Sequence, residues 1–207
     1  MSTEHDITSI EQLEAIIGKP NEMINMKIRS ELDDPMREFI ARSPLLFLAT
    51  WDPSGQPDVS PKGDAPGFVQ LDAEGRLLIP DRPGNKLVFG FKNILANPNI
   101  GLIFAVPRMR ETLRVKGRAT LSNDPNLLES LQAQGKPATL CTRVTVDECF
   151  FHCGKAMIRS KLWQPEHWAD PGESLLVRQI ATGMELDETG AKLVEESLEQ
   201  NYVDELY

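Results

Sequence analysis

One stretch constrains the fold more than any other: Arg76 to Val106, RLLIPDRPGNKLVFGFKNILANPNIGLIFAV. It reads as strand, tight turn, short helix, turn, strand. Arg76-Leu77-Leu78-Ile79 is an apolar run that stops at Pro80. Asp81-Arg82-Pro83-Gly84-Asn85 is turn chemistry, because proline presets φ and Gly and Asn tolerate left-handed conformations. From Lys86 the period becomes helical, with Leu87, Gly90, Phe91, Ile94 and Leu95 able to share one face. Pro98 disfavours α geometry at the residue before it, so the helix should end near Asn97. Ile100 to Val106 is then a nearly continuous apolar run, as in a buried strand.

The turn sets Arg82 and Lys86 beside the expected helix start. Unpaired N–H groups and the positive end of the macrodipole favour an anion there. A guanidinium, an ammonium and a glycine that permits close backbone approach suit a phosphate monoester. A basic turn whose side chains point into water has the same composition, and both readings stand at this point. No G-x-x-x-x-G-K-[ST] loop is present, and no G-x-G-x-x-G follows a strand.

The flanking sequence adds more strands of the same short kind. Leu45 to Trp51 is apolar and meets the turn Asp52-Pro53-Ser54-Gly55, which predicts a hairpin to Pro57–Ser60. Pro61 to Gly67 reads as a loop. Phe68–Leu71 and Arg76–Ile79 read as strands around Asp72–Gly75. In Thr112 to Leu121, Leu113, Val115 and Gly117 alternate with Arg114, Lys116 and Arg118. Cys141–Val146 and Cys149–Cys153 are read as two late strands. About six or seven antiparallel strands with closely spaced turns predict a β-barrel core. Helices are expected over Ile7–Ile17, Asn21–Ile28, from an Asp34 N-cap to Ser43, after Asp124-Pro125, and over Glu173–Thr182 and Thr189–Tyr202. The class is therefore α+β.

Charge narrows the ligand. The chain carries a net charge of −9, which argues against general nucleic-acid binding or an anionic membrane surface. Between Asp52 and Arg118, however, ten Lys/Arg stand against seven Asp/Glu. A local cationic site in an acidic protein fits a small anion better than a polyanion. No apolar run is long enough to span a bilayer. The acidic, polar start MSTEHDITSIEQ predicts no ordinary secretory or mitochondrial leader, and a cytoplasmic location is expected. Cys149, His152 and Cys153 invite a metal reading, but the spacing fits no ordinary zinc pattern, so no metal is expected. Buried structural thiols, with a structural His152, are the expectation.

Four stretches in this order carry a resemblance: FLATWDPSGQPDVSPKGD, LLIPDRPGNK, FKNILANPNIGLIF and TLRVKGRATL. Together they resemble the pyridoxamine 5′-phosphate oxidase-like family of FMN-binding split barrels. The resemblance implies an antiparallel split β-barrel with peripheral helices at both termini. It divides the chain into an N-terminal helical extension (1–35), a barrel (36–163) and a C-terminal helical extension (164–207). It implies an FMN-dependent oxidoreductase acting on a small molecule, as a homodimer whose subunits share each flavin site. Ser60, Pro61 and Lys62 match the strand end along the isoalloxazine edge. Pro80 and Asp81 match the pair flanking the ring and ribityl chain. Asn85 and Lys86 match the basic pair on the 5′-phosphate, with Arg82 close by. Arg159 and Lys161 match late flavin or substrate contacts.

A cation near the flavin's pyrimidine edge stabilises its reduced form, and Lys62 is the candidate; the other reading of Lys62 is an exposed loop lysine. No catalytic acid or base stands out. The family's oxidases end with an Arg-x-His substrate motif, whereas this chain has MIRSKLW; its middle helix also lacks their substrate-phosphate residues. Efficient oxidation of pyridoxamine phosphate is therefore not expected. The alternatives are a non-enzymatic flavin-binding dimer and a split barrel using deazaflavin or haem.

Overall fold

A computed structural model describes residues 5–207; the first four residues of the N-terminal extension lie outside the described residues. The described residues form seven strands: β1 Leu45–Trp51, β2 Pro57–Gly63, β3 Gln70–Leu71, β4 Leu77–Asp81, β5 Asn99–Ala105, β6 Thr112–Ser122 and β7 Leu140–His152. They form one antiparallel sheet in the order β2-β1-β5-β6-β7-β4-β3. The helices are α1 Ile10–Ile17, α2 Glu22–Asn25, α3 Asp34–Arg42, α4 Phe89–Ala96, α5 Pro125–Ser130, α6 Lys155–Ser160, α7 Leu175–Gly183 and α8 Glu188–Asp204. The architecture is an α+β split barrel.

Strand alternation explains the core. Leu48, Leu102, Val115 and Cys149 lie opposite one another across β1, β5, β6 and β7, and all four are buried. The next inward row is Leu46, Phe104, Leu113 and Phe151. α3 closes this face with Met36, Phe39 and Ile40, and the Phe39 and Phe151 rings meet edge-on at 5.4 Å. Between those rows, Phe47, Ile103, Arg114 and Phe150 share the outer face. The alternation expected for Thr112–Leu121 is observed, with Leu113, Val115 and Gly117 buried and Lys116 and Arg118 exposed.

Several boundaries differ from the sequence reading, each for a physical reason. β2 does not end before Pro61; it continues through Lys62 to Gly63, paired with Leu46 and Leu45. β4 runs through Pro80 to Asp81, because β3 reaches only Leu77 and Leu78 and leaves Pro80 with a strand on one side alone, a position proline tolerates. The α3 N-cap is Asp33, whose Oδ1 accepts the Met36 N–H at 3.0 Å. The two late strands are one, β7, kept in step with β6 by a bulge at Lys116/Gly117. Cys153 lies beyond β7 and is exposed, as is His152, while Cys141 and Cys149 are buried. Among the described residues, no group of three or more His, Cys, Asp or Glu could hold a metal ion, and no helix is long and apolar enough to cross a membrane.

Candidate cofactor site

β2 and β4 stand far apart in sheet order, yet their ends meet in space. The inward side chains of β2 are Asp58, Ser60 and Lys62, opposite Thr50, Leu48 and Leu46 of β1. Lys62 Nζ lies 2.6 Å from Asp81 Oδ1 at the end of β4. One step on, Arg82 Nε lies 2.8 Å from Asp64 Oδ2. Two reciprocal ion pairs thus clasp the barrel across a line where the sheet is not closed. We call this line the seam.

A cavity of about 810 Å³ opens at the seam. Leu48, Ser60, Lys62, Pro80, Phe91 and Thr139 contribute to its walls. Its rim is the turn Arg82–Val88, which does not continue into a helix at Lys86 as expected. α4 begins only at Phe89, because Lys86 and Val88 adopt φ values of 61° and 49°. The left-handed positions are therefore not at Gly84 or Asn85. A β-branched residue with positive φ is an outlier, and such strain collects at ligand sites. Asn85 Oδ1 accepts the Leu87 N–H at 3.1 Å and shapes the turn.

α4 is held against the barrel by a buried polar contact. Asn93 Nδ2 donates to Thr50 Oγ1 at 3.0 Å. Its buried face is Asn93 and Ile94; Leu87 and Leu95, expected on that face, are exposed. Gly90 brings the first turn close to Asp58, Thr50 and Ser60.

The electrostatics are specific. Lys62 is a half-buried strand residue that also sits 4.7 Å from the Phe91 ring centroid, not an exposed loop lysine. The Arg82–Asp64 pair is the more buried, with side chains 14% and 4% exposed. Burial pushes the Asp64 carboxyl up, but the Ala65 N–H, Arg82 and the Tyr207 hydroxyl together hold it below its ordinary value. Arg82 Nη1 is buried with no hydrogen-bond partner among the described residues. An orphaned guanidinium donor is costly unless an acceptor reaches it, and it fits a phosphate-bearing ligand.

Of the residues singled out from sequence, Ser60, Pro61, Lys62, Pro80, Asp81, Arg82, Asn85 and Lys86 all line this cavity. Arg159 and Lys161 do not line it. They lie on α6 and at its C-cap, where Lys161 Nζ is 3.4 Å from His167 Nδ1. Sequence reasoning missed Asp58, Asp64, Phe91, Thr139 and Glu205. For Asp58 the signal was available, since strict alternation from Ser60 and Lys62 puts it on the same face. Glu205 comes from the far end of the chain and gives no local signal.

A search of curated proteins finds no match. Among solved structures, the chain is similar to HupZ from Group A Streptococcus, with 18% identity over 58% of this chain and 93% of that one and a TM-score of 0.47. It is similar to an F420 reductase, with 20% identity over 58% of this chain and 98% of that one and a TM-score of 0.42. It is also similar to HutZ, the heme storage protein of Vibrio cholerae, with 17% identity over 59% of this chain and 94% of that one and a TM-score of 0.40. Residues 32–153 match the family described as Pyridoxamine 5'-phosphate oxidase, a span from just before α3 to just past β7. With more than half of its length so matched, the chain belongs to the pyridoxamine 5'-phosphate oxidase family.

Proposed function

We propose that this protein is an FMN-dependent oxidoreductase that acts on a small molecule as a homodimer. The observation that carries the reading is the convergence of Ser60, Lys62, Asp81, Arg82 and Lys86 on one cavity. Its volume is that of a small-molecule site. FMN asks for a phosphate clamp, a flat apolar slot and a few polar groups at the pyrimidine edge. Arg82 and Lys86 supply cations on the turn, Leu48, Pro80 and Phe91 supply apolar surface, and Ser60 supplies a hydroxyl. FMN, when bound, brings the electron-transfer chemistry. Lys62, positioned by Asp81, would supply a positive charge beside the bound ring.

The outer face supports the dimer. Phe47, Val59 and Ile103 are 40%, 60% and 41% exposed. They share that face across β1, β2 and β5, with Phe47 opposite Ile103 and Val59 opposite Ala49. A second subunit would cover them and carry its Arg159–Trp163 segment toward the flavin. An interface of this kind buries on the order of 2,000 Å² or more. Sedimentation of holo- and apo-protein at low concentration tests it; a fully occupied monomer would sink the shared site.

The primary test is the absorption spectrum of the purified protein, followed by FMN titration and reduction by NAD(P)H. Flavin bands with turnover support the proposal, and flavin without turnover would favour a binding protein. A Soret band would favour haem, although among the described residues neither His, Cys, Met nor Tyr lines the cavity.

A further inference from the structure

One line of contacts reaches the cavity from the far end of the chain. α8 ends at Asp204, and beyond it Tyr207 reaches Asp64. Glu205 lines the cavity. Tyr207 Oη donates to Asp64 Oδ1 at 2.9 Å, and Lys136 Nζ donates to the Tyr207 main-chain oxygen at 2.5 Å. The same Asp64 Oδ1 accepts the Ala65 N–H at 2.7 Å, which leaves Oδ2 to Arg82.

We propose that Tyr207 and Asp64 are positioning residues that hold the Arg82 guanidinium as a phosphate receptor, so that the C-terminal tail is part of the ligand site. This rests on the FMN reading given above. The guanidinium is a rigid plane with five donors. Fixing Nε against Asp64 therefore fixes where the two Nη groups point. Asp64 uses only Nε, and Nη1 is left without a partner among the described residues. A pair that served only to hold two strand ends together would gain by engaging both Nε and an Nη group with the carboxylate. Asp64 in turn needs its own restraint. The Tyr207 hydroxyl and the Ala65 N–H anchor one oxygen, and Lys136 anchors the tail that carries Tyr207. Both donors to Oδ1 draw negative charge away from Oδ2, which leaves more of the Arg82 charge for a phosphate.

The experiment compares FMN with riboflavin, which lacks the phosphate, on full-length apo-protein. Tyr207→Phe removes one hydroxyl, and Lys136→Met releases the tail anchor; neither residue lines the cavity. Wild type should bind FMN more tightly than riboflavin. Tyr207→Phe should weaken FMN by about three- to tenfold, Lys136→Met should weaken it in the same direction, and riboflavin should stay within about twofold for both. Unfolding midpoints measured alongside confirm that both variants are folded. Unchanged FMN affinity in Tyr207→Phe, or equal weakening of both ligands, would overturn the inference while leaving the FMN reading intact. Equal affinity of wild type for the two ligands would remove the phosphate reading itself, and the inference with it.

Discussion

The Lys62–Asp81 pair at the seam should show a coupling energy of about 2 kcal/mol in a double-mutant cycle. The two atoms are 2.6 Å apart and the side chains 21% and 20% exposed. At an effective dielectric constant near 20, the gross attraction at that distance is about 6 kcal/mol. Desolvation of both charges offsets most of it, and a charge-assisted hydrogen bond typically retains about 1.5–3 kcal/mol. Asp81→Asn should cost about 2 kcal/mol. Lys62→Met should cost about 3, because it also removes a cation 4.7 Å from the Phe91 ring centroid. The double variant should cost no more than about 3 kcal/mol, since the second removal breaks nothing new. Urea unfolding of ligand-free protein at constant m-value measures all three. The coupling should survive high salt in large part, because the pair is half-buried. A coupling below about 0.5 kcal/mol, the value of an exposed surface pair, would refute a clasp at the seam.

Lys86→Ala should weaken FMN by about 1.5–3 kcal/mol, roughly ten- to a hundredfold, and unchanged affinity by calorimetry would take Lys86 out of the site. The protein should not oxidise pyridoxamine phosphate efficiently, and robust release of pyridoxal phosphate and peroxide would overturn the inference drawn from MIRSKLW. Gly117→Ala should destabilise by about 2–3 kcal/mol, because its Cβ would lie 2.2 Å from the Thr145 carbonyl oxygen at the β6–β7 bulge; an unchanged denaturation midpoint would contradict this. The Asp64 carboxyl sits below its ordinary value of 3.8 in the folded protein, so the unfolded chain takes up that proton first on acidification. Its stabilisation is complete above about pH 5 and is lost as pH falls through the lower folded value. Stability should therefore fall less steeply below about pH 4 in Asp64→Asn than in wild type.

How much was legible depended on whether a residue's environment was local. The α5 start at Asp124-Pro125 and the β1 span were readable because a cap and an apolar run bounded by turns act over a few residues. The cavity residues from Ser60 to Lys86 were readable because motif order supplied their juxtaposition. The helix start after Lys86 was not, since its apolar spacing satisfies a helix while Lys86 and Val88 adopt left-handed conformations. Nor was the continuity of β7. Asp147 and Glu148 interrupt its apolar pattern, yet they pair with Arg118 and Lys116 of β6 on the solvent side. The clasp of Asp64 with Arg82, and the reach of Tyr207 across 143 positions to Asp64, depend on sheet closure and have no periodic trace.

The open sheet has a mechanical consequence. A tube slit along its length is much softer in torsion than a closed one, because shear can no longer circulate around the wall. Here no main-chain ladder joins β2 to β4, and two side-chain contacts act as spot welds along the slit. Twisting of the whole wall should be the softest motion of this molecule. An occupant gripped by both lips would restore the missing shear path. It would stiffen strands such as β5 and β6 that it never touches, slowing their amide exchange on the side of the barrel opposite the slit.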